Sequence, residues 1–278
     1  MHQVRVEAEL IGERGQKAFS RPIAMTKTLK FLTYNVHSGI GTDRRYNLSR
    51  IRKVLDQEKP DIAAIQELDC RRQRTSYHDQ AKELAAGLAM NSFYCATRPT
   101  DTGSFGMAVL SPFSVVHRHE YDLSYNPRRE PRYCLRVDVQ VEPRAIIHVF
   151  NCHLGLATRE RRFQRQQMLS EAILLSEDLH HPVVLMGDFN DRPISVVHRN
   201  LRRHFTDAYN AVGKHWGPTF KVGPIPIRLD HIYVSRDIRV RECWVRTDNL
   251  TKVASDHRPV LAIAEVTWNG VSAPAQHD

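Results

Sequence analysis

Six places in the sequence bring acids, amides or histidines to the edge of an apolar stretch. Asn35 follows Phe31 to Tyr34, and Glu67 follows Asp61 to Ile65. Asn151 and His153 close the stretch that opens at Ala145. Asp188 and Asn190 follow Val183 to Met186. Asp230 stands before Ile232 to Val234, and Asp256 with His257 stands before Val260 to Val266. Carboxylate and amide oxygens are hard ligands that suit Mg²⁺ or Mn²⁺. Such a cation polarises a phosphoryl oxygen and acidifies bound water. A nearby histidine can move a proton or donate a hydrogen bond to developing charge. The set therefore points to metal-assisted hydrolysis of a phosphoester. Each residue alone has a plainer reading: Asn35 a loop cap, Glu67 a surface acid, His153 a half-buried core histidine. Asp188 with Asn190 reads equally well as an Asx turn, Asp230 as a strand-edge charge, and Asp256-His257 as a turn. Their joint occurrence carries the inference. The chain has no Gly-rich phosphate loop, no H-E-x-x-H and no G-x-S-x-G, so nucleotide-triphosphate, zinc-protease and serine-hydrolase chemistry lack their motifs.

Strands and helices must deliver these residues to one place. Phe31–Val36 reads as a strand running into a polar loop from Asn35 to Thr42. Leu48, Ile51, Val54 and Leu55 recur at helical spacing, closed by Pro60. A short strand over Asp61–Ile65 and a helix near Asp79–Met90 follow. Strands are expected at Phe93–Thr97, Gly106–Leu110, Val115–Tyr121, Tyr133–Val141 and Ala145–Asn151. The longest helix is expected over Thr158–Leu179 with Thr158 as its N-cap. Strands at Val183–Met186, Ile232–Val234 and Val260–Val266 complete the pattern. Two packed sheets with helices outside fit this order better than a doubly wound parallel sheet. No repeat or linker divides the chain. We read one domain over residues 27–268, an N-terminal extension over 1–26 and a tail over 269–278.

The chain has 278 residues, 41% hydrophobic and 26% charged. That length supports a large core without staples. The five cysteines, Cys70, Cys95, Cys134, Cys152 and Cys243, are an odd number with no C-x-x-C pair. They read as free thiols in a reducing compartment, not as a disulfide framework or structural zinc site. With no apolar signal core and no membrane-spanning run, a cytoplasmic location is expected. The net charge of +9 suits a polyanion such as nucleic acid, an anionic membrane surface or a phosphorylated small molecule, and also suits plain solubility. Arg159, Arg161, Arg162 and Arg165 fall on the predicted long helix and read as a solvated face.

The strings TYNVHSG, IQELD, NCHLGL, GDFND, RLDHIYV and SDHRPV resemble the endonuclease/exonuclease/phosphatase superfamily, which includes deoxyribonuclease I and exonuclease III-type enzymes. The resemblance runs from Lys30 to Val266 and is closest to small bacterial members of poorly defined substrate. It implies a four-layer α/β/β/α sandwich with the site at one end of the sheets. It implies metal-site roles for Glu67, Asn35 and Asp256. Asp188 and Asn190 match the pair that prepares the attacking water and contacts the phosphate. His257 matches the histidine beside the scissile phosphate, Asp230 its orienting carboxylate, and His153 the second histidine. Asn151, Arg129 and Arg132 are the candidate phosphate contacts, with Arg129 and Arg132 as rivals in RREPRY. No acid stands in Gly103–Leu110, where deoxyribonuclease I has the partner of its second histidine, so the tuning of His153 departs from that pattern.

The implied activity is divalent-metal-dependent hydrolysis of phosphodiesters, with Mg²⁺ or Mn²⁺ as cofactor and DNA or RNA as leading substrate. A phospholipid headgroup or small phosphodiester is the second reading, and a nucleic-acid-binding module without catalysis the third. Trp216, Phe220 and Trp244 are candidates for stacking on bases, with core packing the plainer reading for each.

Overall fold

Strand β1 (Met25–Asn35) is buried on both faces from Phe31 onward. Leu29 and Phe31 point into one core, Leu32 and Tyr34 into another. Strand β2 (Ile62–Cys70) repeats the pattern, with Ile62 and Ala64 on one side and Ala63 and Ile65 on the other. Side chains alternate along a strand, so a continuous apolar run marks a sheet covered on both faces. The computed structural model describes residues 24–214 and 216–269. The N-terminal extension and the tail lie almost wholly outside the described residues. The first strand opens at Met25, two residues before the expected domain boundary.

The first sheet adds β3 (Asn91–Pro99), β4 (Ser104–Ser111), β13 (Ile238–Val245) and β14 (Val260–Trp268), in the order β13-β14-β1-β2-β4-β3. The second contains β5 (Ser114–Asp122), β6 (Tyr133–Glu142), β7 (Ala145–His153), β8 (Val183–Asp188), β9 (Thr206–Asp207) and β12 (Asp230–Val234). Its order is β5-β6-β7-β8-β12-β9. A small hairpin of β10 (Phe220–Val222) and β11 (Ile225–Ile227) stands apart. The inner faces of the two large sheets meet through Phe31, Val109, Val137, Val149, Val184 and Ile232.

Helices α1 (Leu48–Glu58), α2 (Gln80–Gly87) and α6 (Asn249–Ala254) cover the outer face of the first sheet through Ile51, Leu55, Leu84 and Ala254. Helices α3 (Thr158–Met168) and α4 (Val196–Leu201) cover the second through Met168, Val197 and Leu201. A short α5 (Ala208–Ala211) packs Ala208 and Tyr209 into the inter-sheet core. The layers are α/β/β/α, as expected.

Each sheet holds a parallel pair, β1 with β2 and β7 with β8. The pairs are joined through α1 and through α3, because parallel neighbours need a crossover. This geometry collects the site. Asn35 pairs with Gln66, which puts Asn35 and Glu67 at one end. His153 pairs with Asp188 in the same way. Strand β12 is antiparallel to β8, so its first residue, Asp230, lies opposite Asp188. Strand β14 is antiparallel to β1, and Val260 lies opposite Thr33. Asp256 and His257, just before Val260, thus reach the end where Asn35 sits.

Helices α4, α5 and α6 and strands β9, β10 and β11 have no counterpart among the expected elements, and two further elements also differ from expectation. Helix α3 stops at Met168, and its N-cap is Ala157 rather than Thr158. The Ser170 hydroxyl donates to the Gln167 carbonyl at 2.7 Å, and a hydroxyl bonded back to the backbone competes with the helical ladder. The chain continues as turns that still bury Ile173 and Leu174. Strand β13 has no counterpart among the expected strands. A register shift between Val240 and Glu242 breaks the period of two, so Ile238 and Cys243, five positions apart, both enter the core. All five cysteines are free thiols.

Candidate active site

The strand ends open into a cleft of about 320 Å³. Glu67, Asp188 and Asp256 line it, with His153, His257 and Asn190. Asp188 is the hub. Its Oδ2 accepts from Asn35 Nδ2 at 3.0 Å and lies 3.6 Å from His153 Nε2 and 3.7 Å from His257 Nε2. Its Oδ1 accepts from the Asn190 backbone N–H at 2.8 Å. Burial above all, reinforced by the charge of Asp230, pushes the Asp188 carboxyl up to about 7, although His257 opposes the rise. Gly187 makes this approach feasible. A Cβ there would stand 2.0 Å from the Cys152 carbonyl oxygen, and its φ of +151° disfavours other residues.

His257 Nδ1 bonds the Asp230 Oδ2 at 2.8 Å. Asp230 is fully buried behind the cleft wall. Burial alone would lower the His257 imidazole; the facing carboxylates of Asp230 and Asp188 overcome this and raise it to about 10. Its Nε2 faces Asp188, and the two carboxylates favour the protonated ring. His153 is the opposite case. Burial, then the charges of Arg132 and His257, hold it well below the usual histidine range. Its Nε2 lies 3.6 Å from Asp188 and 3.9 Å from Glu67, and no other acid among the described residues comes within ion-pair distance. Its environment favours the neutral imidazole.

Glu67 sits at a break in the β2–β4 register between Ile65 and Leu68, with φ of +59°. A bulge of this kind re-aims a side chain. Asn35, fully buried, gives Nδ2 to Glu67 at 2.8 Å as well as to Asp188, while its Oδ1 accepts from the His37 backbone N–H. It holds the two carboxylates and stands behind the cleft wall. Asn190 (φ +49°) donates one Nδ2 hydrogen to the Leu154 carbonyl; an amide nitrogen carries a second.

Two expected phosphate contacts are placed elsewhere. Asn151 is fully buried between the sheets. Its Nδ2 donates to the Ile65 and Ala108 carbonyls at 3.1 and 2.8 Å, and its Oδ1 accepts from Gln66 Nε2 at 2.8 Å. It ties β7 to the Glu67 bulge and has nothing left for a phosphate donor's role. Arg129 lies on an exposed turn. Its rival Arg132 is buried, lines the cleft and has an Nε without a partner.

Sequence reasoning missed His37, Arg98 and Glu130, which also line the cleft. His37 had a signal in TYNVHSG and Glu130 in RREPRY; a lone arginine on β3 has none. Arg74 reaches the same wall while pairing with Asp69 at 2.6 Å. Arg161 is not on a solvated face. It is buried, ion-pairs with Asp191 at 3.2 Å and donates to the Gly155 and Leu156 carbonyls, fastening the loops after β7 and β8. Of the aromatics, Phe220 lines the cleft with its ring 4.6 Å from that of His257. Trp244 packs against the helix-covered core, and Trp216 is exposed.

The donor set suits a hard cation. Glu67 and Asp256 present carboxylates to the cleft, and the buried Asp230 Oδ1 has no partner. Asp188, Asp230 and His257 also bring ligand atoms within 4.8 Å of one another. We favour Glu67 and Asp256 as the holders. They reach solvent, and Mg²⁺ keeps several waters, whereas Asp230 is fully buried and its Oδ2 is taken by His257.

A two-sheet sandwich with carboxylates and imidazoles gathered at one rim defines a class of hydrolases that act on phosphoesters. The sequence matches the model of the Endonuclease/Exonuclease/phosphatase family over residues 32–257, and the chain belongs to that family. No curated protein matches it. Among solved structures it is similar to an endonuclease/exonuclease/phosphatase from Bacteroides vulgatus, with TM-score 0.72, 19% identity, and coverage of 86% of this chain and 99% of that one. A mannosyl-6-phosphatase from Bacteroides thetaiotaomicron gives 0.67, 18%, 85% and 99%. The human Nocturnin catalytic domain, with bound sulfate, gives 0.71, 17%, 90% and 100%. At these identities the likeness is one of fold. Among the described residues no helix is long and apolar enough to cross a membrane.

Proposed function

We propose that this hydrolase cleaves phosphodiester bonds of nucleic acid with Mg²⁺ or Mn²⁺ held by Glu67 and Asp256. The observation that carries the reading is the convergence of Glu67, Asp188, Asp256, His153, His257 and Arg132 on one cleft. When bound, the cation supplies charge to a phosphoryl oxygen and acidifies water. The rest belongs to the side chains. Asp188, raised toward neutrality by burial, accepts a proton from the attacking water. His257, kept protonated by Asp230, donates to the phosphate as negative charge builds. Arg132 and the free amide hydrogen of Asn190 hold the remaining oxygens. His153, neutral, donates a hydrogen bond without adding charge. The water oxygen bonds to phosphorus, the opposite ester bond breaks, the leaving oxygen takes a proton from solvent, and the proton held by Asp188 returns to solvent.

Nucleic acid is favoured because the cleft wall adds Arg74 and Arg98 to Arg132 and the whole chain carries +9, which suits a polyanion. The test incubates the protein and its His257→Ala variant with end-labelled duplex, single-stranded and abasic-site DNA and with RNA, in Mg²⁺ or in EDTA. Cleavage that requires both metal and His257 supports the reading. A folded protein that cleaves none of these, yet hydrolyses a phospholipid headgroup or a small phosphodiester, refutes it.

A further inference from the structure

A second concavity, of about 440 Å³, adjoins the cleft and shares Phe220 and Asp256 with it. Its remaining walls bring together cations from three separate elements: Lys221 on the β10–β11 hairpin, Lys252 on α6, and Arg258 after His257. Asp256 is the one carboxylate among its lining residues. Among the described residues no acid lies within ion-pair distance of Lys221, Lys252 or Arg258. The Arg258 Nε is shielded from solvent and has no hydrogen-bond partner. A buried donor left unmade is costly and is ordinarily satisfied by a protein group, a water or an ion. Like charges gathered from three elements repel one another unless an anion sits among them.

We propose that this groove binds a phosphate of a nucleic-acid strand that flanks the scissile one, with the intervening nucleotide packed on Phe220. The inference rests on the nuclease reading above. Phe220 fits the part because its ring faces both concavities and lies 4.6 Å from the His257 ring, and an aromatic face stacks on any base. A phospholipid headgroup ester or a small diester carries no second phosphate on a nucleoside's spacing. For such substrates the three cations have no counterpart. The groove thus selects polymer over monomer, and Lys221 and Lys252 act on binding while the cleft does the chemistry.

The double variant Lys221→Ala/Lys252→Ala tests this. Both side chains are exposed, so the fold is kept, which circular dichroism checks. Affinity for a labelled single-stranded oligonucleotide is measured across a salt series, in an Asp188→Asn background that slows cleavage. Hydrolysis of bis(4-nitrophenyl) phosphate is measured in the active background. The double variant should lose about tenfold in oligonucleotide affinity, and its log K against log salt should be shallower by about 0.7, the loss of one phosphate contact on a single strand. Its kcat/KM on the small diester should stay at the parent value. Unchanged oligonucleotide affinity and salt slope overturn the proposal. So does an equal loss on both substrates, which would place the lysines at the scissile phosphate. A parent protein that hydrolyses the diester but binds no oligonucleotide overturns both the groove and the nuclease reading. A parent that binds oligonucleotide but cleaves none overturns the nuclease reading alone, and the affinity comparison still decides the groove.

Discussion

Replacing Asn151 with alanine separates a scaffold role from a substrate role. The native amide bonds the Ile65 and Ala108 carbonyls and Gln66 Nε2, and the side chain is fully buried. Gln66 Nε2 keeps two other acceptors, the Thr33 hydroxyl and the Ala64 carbonyl, both at 3.1 Å. The two carbonyls lose this donor, and no water replaces it at no cost in a packed inter-sheet core. A buried polar group left unsatisfied costs about 1–3 kcal/mol. Carbonyls have a second lone pair and sit at the low end, so the expected destabilisation is roughly 2 kcal/mol in total. Urea unfolding measures it as a lower midpoint at unchanged slope. The same carbonyls flank the bulge that aims Glu67, so the variant should also need more Mg²⁺ for half-maximal rate. A stability loss under about 0.5 kcal/mol together with a raised KM would refute this account and return Asn151 to the phosphate.

Other outcomes follow from the same geometry. Asp188→Asn should be about 10²–10⁴-fold slower, yet at least as stable at pH 7, because it removes a carboxylate that burial disfavours; a markedly lower Tm would contradict the burial argument. Glu67→Gln should abolish the rise in Tm that saturating Mg²⁺ gives the parent, and retention of that rise would move the metal to the Asp188–Asp230–His257 group. His198 is buried, and burial, then the charge of His231, hold its pKa well below 6.5. The unfolded chain therefore binds one proton more between pH 6.5 and the folded value, so this contribution is present above pH 6.5 and lost as pH falls. Its slope is about 1.4 kcal/mol per pH unit, and His198→Phe should flatten the pH dependence of unfolding by that amount. Thr219→Val removes the hydroxyl that accepts from the Leu229 and Asp230 backbone N–H groups at 3.0 and 3.2 Å; it should slow turnover with KM held, which a change in KM alone would refute.

Most of the scaffold was legible because a strand covered on both faces must carry an unbroken apolar run over its covered stretch. That condition marks β1, β2, β7 and β8, the strands that carry Asn35, Glu67, His153 and Asp188. Where local chemistry interrupts periodicity, legibility ends. The bulge in β13 hid a strand, and the Ser170 back-bond cut short a helix whose apolar spacing runs on to Leu179.

The sequence by itself determined which residues could do chemistry, since a carboxylate, amide or imidazole at the end of an apolar strand is an expensive placement with few structural uses. It could not assign their directions. Asn151 and His153 are two residues apart on one strand and so share a face, yet one is spent on the opposing sheet and the other on the cleft. The difference is depth along the strand, which only the packing of two sheets defines. The tertiary structure also brought Arg132 and not Arg129 into the cleft wall, set the imidazoles of His257 and His153 in environments that shift them in opposite directions, and set Lys221, Lys252 and Arg258 around one groove. Each of these depends on distances between residues remote in sequence. Charge, burial and hydrogen bonding act through space, so their outcome is fixed only when the fold brings the partners together.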